Sequence, residues 1–238
     1  MELLQNKHVL IVGATGGIGA EAARLINKNK EHLYLAGRDQ TKLDELGNDL
    51  GVPNERIFQL DVTDDAAVRE VAEQIHAQTE KLDILINAAG IGIIHPLEKL
   101  SEADFRKTID TNLNGAFYLM KNFVPPMKQA KRGLVINIPG VLGKTPMAGA
   151  AAYAASKYGI DGMTKSIREE LKRTQVRITN VYLGGVNSPF WEPIDLKVPH
   201  DRMITTKEAA RSIWFLCQQP SSGVVSEMVI QPFYHQAI

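Results

Sequence analysis

The chain has 238 residues, with 27 Lys plus Arg balanced by 27 Asp plus Glu, so its formal net charge is zero. Hydrophobic residues make up 44% and charged residues 23%, the proportions of a globular chain long enough to bury a large core. A nucleic-acid or membrane surface usually leaves a basic excess, so neither partner is expected.

In chain order, Met1 to His8 is polar and lacks the apolar stretch of a signal peptide. His8 to Val12 reads as a buried strand, and Gly17 to Lys28 as a helix carrying Ala22, Ala23, Leu25 and Ile26 near one face. His32 to Ala36 is a second strand, after which Asp39 can cap a helix. Arg56 to Leu60 is a third strand, and Thr63 or Asp64 caps a helix with Val68, Val71, Ala72 and Ile75 at helical spacing. Leu82 to Asn87 is a fourth strand. Ser101 with Asp104 resembles a capping box and starts a helix running to about Lys121. Gly133 to Ile138 is a fifth strand, Ala152 to about Arg173 a long helix, and Val176 to Leu183 a sixth strand. Asn187 to Ile204, with Pro189, Pro193, Pro199, Phe190 and Trp191, reads as a loop able to cover a site. Thr205 and Glu208 box the start of a helix ending near Gln218, and Val224 to Ile230 is the last strand. Cys217 is the sole cysteine, which excludes an intrachain disulfide; its neighbours Ile213, Trp214 and Leu216 mark it as a buried structural thiol. A reducing compartment, the cytoplasm, fits. No run of about 18 apolar residues offers a membrane span.

Strands alternating with helices predict an α/β fold: a three-layer, doubly wound parallel sheet of Rossmann type, in a single domain covering 1–238. The first strand meets the first helix through Gly13-Ala14-Thr15-Gly16-Gly17-Ile18-Gly19. Glycines there let the backbone approach a pyrophosphate, and the helix N-terminus supplies unpaired N–H groups. A glycine loop alone is also compatible with a tight turn that binds nothing.

The glycine loop, Asp61-Val62, Asn87-Ala88-Ala89-Gly90, Asn112 and Tyr153-Ala154-Ala155-Ser156-Lys157 together resemble the short-chain dehydrogenases/reductases, in order and over nearly the whole chain. The resemblance implies a nicotinamide cofactor and carbonyl–alcohol interconversion by hydride transfer. It implies dimers or tetramers built on Phe105–Lys121 and Ala152–Arg173. It assigns Asp61 to an adenine contact, although Asp61 also suits a local helix cap, and places Asn87 to Gly90 beside the cofactor. No metal is implied.

The end of the second strand bears on which cofactor. Acidic residues there bind the ribose hydroxyls of NAD, whereas cations suit the 2′-phosphate of NADP. The chain reads Gly37-Arg38-Asp39. Arg38 suits a phosphate dianion, and Asp39 is read as the N-cap of the next helix, so NADP(H) is expected. Tyr153 and Lys157 lie one helical turn apart, and a nearby ammonium is expected to lower the phenol pKa toward neutrality. By resemblance Tyr153 exchanges the proton, Lys157 also holds the nicotinamide ribose, and Asn112 joins a water relay.

The chain departs from the family twice. Its fifth strand ends Ile138-Pro139-Gly140, where the family carries serines, and Gly140 sits 13 residues before Tyr153, where the family's oxyanion-binding serine stands. Losing one preorganised donor costs about 10²–10³ in rate. A backbone N–H at Gly140 or Val141, a water, Asn187 or Ser188 could substitute. After the sixth strand, Gly184-Gly185-Val186 replaces a proline-glycine pair, leaving Gly184, Val186 and Ser188 as cofactor contacts. Val141, Leu142, Phe190, Trp191 and Ile194, with His95 at the rim, are the candidate substrate residues. They suggest an uncharged or partly hydrophobic carbonyl, or they pack the loop to the sheet. The reading is thus an NADP(H)-dependent oxidoreductase, impaired by Gly140; the alternative is a non-catalytic NADP(H)-binding module or redox sensor.

Overall fold

Short apolar runs buried on both faces become strands here, because only a parallel sheet with helices on each side can cover them. The computed structural model describes residues 6–29, 32–220 and 222–238, so Met1 to Gln5 of the polar N-terminal stretch lie outside it. Strands β1 (His8–Val12), β2 (His32–Gly37), β3 (Ile57–Gln59), β4 (Ile84–Asn87), β5 (Arg132–Asn137), β6 (Gln175–Leu183) and β9 (Glu227–Ile230) form one sheet in the order β3-β2-β1-β4-β5-β6-β9. Every pairing in it is parallel.

Helices α1 (Gly17–Ile26), α2 (Gln40–Leu50) and α7 (Thr206–Cys217) cover one face, burying Ala22, Ile26, Leu43, Ile213 and Leu216 against Ile11, Leu35 and Ile86. Helices α3 (Asp65–Gln78), α5 (Gly115–Gln129) and α6 (Ala151–Leu171) cover the other, where Val68, Ile75, Leu119, Phe123 and Leu171 meet Leu10, Leu85 and Val135. This is the three-layer fold read from the sequence. Cys217 is buried, as expected.

Local capping fixes the helix starts. Asp39 accepts a hydrogen bond from the Lys42 N–H at 3.1 Å. Asp64, rather than Thr63, accepts from the N–H groups of Ala66 and Ala67. Thr205 and Glu208 form a reciprocal capping box. The expected helix from Ser101 differs in both length and continuity. It consists of α4 (Glu102–Ile109), a π turn over Asp110–Asn114, and α5, which continues past Lys121 through Pro125 and Pro126 to Gln129. A proline inside a helix costs about 3 kcal/mol. Burial of Phe123, Val124 and Met127 on the same turns offsets that cost.

The strand order changes direction between β1 and β4. In such sheets the crevice at the carboxyl ends of those strands receives ligands. A short parallel pair, β7 (Val186–Asn187) with β8 (Ile204–Thr205), ties the two ends of the 187–204 loop together beside that crevice.

Candidate active site

Two cavities run across the carboxyl ends of the strands. The first, of about 590 Å³, includes Gly13, Thr15, Gly16, Arg38, Lys42, Val62, Ala88 and Gly90. The second, of about 520 Å³, continues from Gly16, Gly17, Ile18 and Gly19 to Gly140, Tyr153, Gly184, Val186 and Ser188. Thr15, Gly16, Lys42, Ala88 and Gly90 line both, so the two form one cleft.

The phosphate end rests on backbone shape. Gly13 adopts φ +79°, and a Cβ there would sit 2.7 Å from the Ala88 carbonyl carbon, so glycine alone lets β1 turn under the loop after β4. No side chain caps the N-terminus of α1, and its first turn carries no acid. Its N–H groups and dipole therefore suit an anion. Arg38 is exposed at the end of β2 and has no ion pair among the described residues. Lys42, one turn into α2, joins it in the lining while pairing with Asp39 at 3.6 Å. Two cations beside a glycine loop fit a dinucleotide carrying an extra ribose phosphate. Lys42 escaped the sequence reading, which took it only as part of the helix; the i+4 spacing from Arg38 was the available signal.

Asp61 does not line the cleft. Its carboxylate accepts from the N–H and hydroxyl of Thr63, at 2.9 and 2.8 Å. Partial burial raises its pKa, but those two bonds and the Arg38 charge outweigh it and hold the carboxyl below its ordinary value. Its neighbour Val62 is in the lining.

Asn87, Asn112 and Lys157 stand behind the cleft wall rather than in it. Asn87 donates to Asn137 at 3.3 Å and accepts from the Ala89 N–H at 3.2 Å, fixing the turn after β4. Asn112 lies in the π turn, a distortion frequent at functional sites. Its amide oxygen accepts from the Ile91 N–H at 2.8 Å, and its amide nitrogen donates to the Ile91 carbonyl at 3.0 Å and to Ser156 Oγ at 3.1 Å. Ser156 in turn donates to the Tyr153 carbonyl at 2.7 Å. One buried chain therefore ties the loop after β4 to the turn of α6 that carries Tyr153. Ser156 was read only as a motif letter; its role becomes visible when its partners are placed.

Lys157 is 3% exposed, and its ammonium donates to the Ile138 carbonyl at 3.4 Å and lies 5.2 Å from the centre of the Tyr153 ring. Burial lowers its pKa to about 8. Burial also pushes the Tyr153 phenol up from its ordinary value. This corrects the expectation that the ammonium lowers the phenol: the low-polarity wall disfavours both charged forms, and desolvation outweighs the attraction between them.

Gly140 holds φ +72° and ψ 169°, a region that essentially only glycine adopts. Its N–H is given to the Val181 carbonyl at 3.4 Å, which removes it from the substitute donors. Asn187 Oδ1 lies 3.1 Å from His200 Nδ1 at an exposed position. Ser188 lies against the glycine loop: a Cβ on Gly17 would be 2.9 Å from its Cβ. Ser188 thus sits at the glycine-loop end of the cleft. Phe190 and Trp191 cover the other end, with the Phe190 ring 5.9 Å from Tyr153 and the Trp191 indole donating to the Val186 carbonyl at 2.8 Å.

The family sequence model described as short chain dehydrogenase matches residues 7–198. The chain belongs to the short-chain dehydrogenase family. Among relatives, it is 29% identical over 234 residues to the NADP-dependent 3-hydroxy acid dehydrogenase YdfG of Salmonella typhi, with 94% of each chain covered. It is 32% identical over 232 residues to the 3-oxoacyl-[acyl-carrier-protein] reductase FabG of Rickettsia bellii, again with 94% of each covered. A metagenomic short-chain oxidoreductase, solved in complex with NADP, superposes with a TM-score of 0.84 at 29% identity, covering 97% of this chain and 99% of that one. Membership in this family accounts for the strand order and for the cleft at the switch point.

Proposed function

We propose that this protein is an NADP(H)-dependent oxidoreductase that interconverts a carbonyl and an alcohol, running as a reductase near neutral pH. The observation that carries this is the Tyr153 phenol: it lines the cleft, is protonated at neutral pH as any phenol is, and has the Lys157 ammonium one turn away. NADP(H) is supported by Arg38 and Lys42 at the ribose end and by the NADP-dependent relatives.

When bound, the reduced nicotinamide supplies the hydride that adds to the carbonyl carbon. The phosphate loop Gly13–Gly19, with Ser188, holds the pyrophosphate. Arg38 and Lys42 would hold the 2′-phosphate, and Val62 would border the adenine. Ala88, Gly90, Gly184 and Val186 border the nicotinamide half. Tyr153 gives its phenolic proton to the carbonyl oxygen as negative charge develops there, and takes one back from solvent afterwards. Lys157, charged below about pH 8, stabilises the phenolate left behind. Asn112 and Ser156 position the Tyr153 turn. With Gly140 in the serine's place, the reacting oxygen has Tyr153 as its one side-chain donor, so turnover is slower by about 10²–10³ than a site with both.

The same reading makes the protein a homodimer or homotetramer. Phe105 on α4, Phe117 on α5 and Tyr158 on α6 are 41%, 44% and 43% exposed, on the helices the family uses for association. NADPH consumption across a panel of carbonyls tests the activity. Stabilisation by NADPH beyond that by NADH tests the cofactor separately, because ligand bound to the native state raises its stability.

A further inference from the structure

The named relatives act on 3-hydroxy acids and on an acyl chain tethered to a carrier protein. A 3-hydroxy or 3-oxo acid places a carboxylate one carbon away from the reacting carbon. Buried in an apolar wall, that charge needs a cation.

Among the described residues, the lining of the wall around Tyr153 offers none. It is made by Ile94, Val141, Leu142, Met147, Phe190 and Trp191. Among the described residues, the one charged side chain lining that cavity is Lys42, at its far end beside Thr15 and Arg38. Nearby basic side chains are engaged elsewhere. Lys157 lies behind the wall, where its ammonium donates to the Ile138 carbonyl at 3.4 Å. Lys144 pairs with Glu227 at 2.7 Å and lies over the Tyr182 ring at 4.3 Å. Arg202 lies over the Tyr234 ring at 5.6 Å. His200 Nδ1 sits 3.1 Å from Asn187 Oδ1 on the outside of the loop. Phe190 and Ile194 pack over Gly92, and the Phe190 ring stands at 57° to Tyr153 with a centroid distance of 5.9 Å, so an aromatic face borders the reacting position.

We propose that the substrate is a neutral ketone or aldehyde bearing an aryl or branched alkyl group, with Phe190 as the specificity wall, and that carboxylate-bearing 3-oxo acids are rejected. This rests on the reductase reading above. The reaction balances as carbonyl plus NADPH plus one proton giving alcohol plus NADP⁺, with Tyr153 delivering the proton to oxygen.

The test compares ethyl 3-oxo-3-phenylpropanoate with its freshly prepared free carboxylate, two ligands with the same ketone, one neutral and one anionic. The expected kcat/KM ratio of ester to acid exceeds about 30, the scale set by an unpaired buried carboxylate; a smaller ratio overturns the proposal. Met147→Lys, which adds a cation to the wall, is expected to shrink the ratio by about tenfold or more. An unchanged ratio in a folded variant overturns the assignment of that wall. If neither ligand turns over, fluorescence of Trp191 in a Trp214→Phe background decides by binding. Tighter ester binding then supports the substrate class while the reductase reading falls, and equal binding overturns the substrate class itself.

Discussion

Replacing Gly140 with serine looks like a repair, but the backbone makes it a strained one. A Cβ at 140 would lie 3.4 Å from the Leu183 carbonyl oxygen and 3.9 Å from the Tyr153 hydroxyl, so there is room for the side chain and the reacting oxygen is within reach. The obstacle is φ +72° with ψ 169°, which costs a residue with a Cβ about 1–3 kcal/mol. The residue cannot relax cheaply. Its N–H is held by the Val181 carbonyl, and its own carbonyl accepts from the Gly143 N–H at 3.0 Å. A full oxyanion donor would return about 10²–10³ in rate, but only with the serine held in one geometry. We expect Gly140→Ser to lower Tm by about 2–12 °C, at roughly 2–4 °C per kcal/mol for a chain of this size. We expect a gain in kcat of less than about tenfold. Gly140→Ala carries the same strain without the hydroxyl, so it should lose the same Tm and gain nothing. Thermal melts and single-turnover NADPH oxidation on the three proteins measure both. An undiminished Tm together with a 10²-fold gain in Gly140→Ser would refute the reasoning, because position 140 would then be an ordinary serine site lacking its hydroxyl.

Arg38→Ala should weaken NADPH binding by about 10–100-fold, the worth of a charge-assisted contact, and leave NADH affinity within a few-fold, as read by titration of each cofactor. Lys157 sets a pH dependence of stability in the cofactor-free protein. Its pKa of about 8 in the folded chain lies below the ordinary 10.5, so the folded state holds fewer of its protons than the unfolded state between those values, and stability rises with pH there. The full cost, roughly 3 kcal/mol, is present below pH 8. Above pH 10 the raised Tyr153 pKa acts oppositely, since the unfolded phenol ionises first. Urea unfolding at pH 7.5 and 9.5 should therefore show a rise that Lys157→Met abolishes. If the protein associates as proposed, Phe117→Glu, which puts a charge at an exposed apolar position of α5, should yield smaller species by light scattering without changing NADPH affinity.

Much of this was readable beforehand because local rules and the global fold agree. The apolar runs of β1, β2, β4, β5 and β6 sit where the pattern puts them, and the Asp39 carboxylate caps α2, as its position before Lys42 and Leu43 suggested. The glycine loop, Arg38, Tyr153 and Ser188 fall along one cleft, since strand carboxyl ends converge in a parallel sheet. What the sequence hid depends on partners distant along the chain. The π turn at Asp110–Asn114 exists because Asn112 is pinned to Ile91 and Ser156. The run of α5 through two prolines reflects the burial of Phe123 and Met127. The Gly140 conformation reflects bonds to Val181 and Gly143. The upward shift of the Tyr153 pKa reflects the depth of its cleft, which spacing alone does not encode.

The most direct test of the account is Tyr153→Phe, assayed for reduction of the ketone ester and, separately, for NADPH affinity. The account predicts a fall in kcat of about 10²–10⁴ with NADPH affinity within a few-fold of the parent, the signature of losing a proton donor from an intact site. Retention of full turnover by the phenylalanine variant would contradict it and remove Tyr153 from the chemistry.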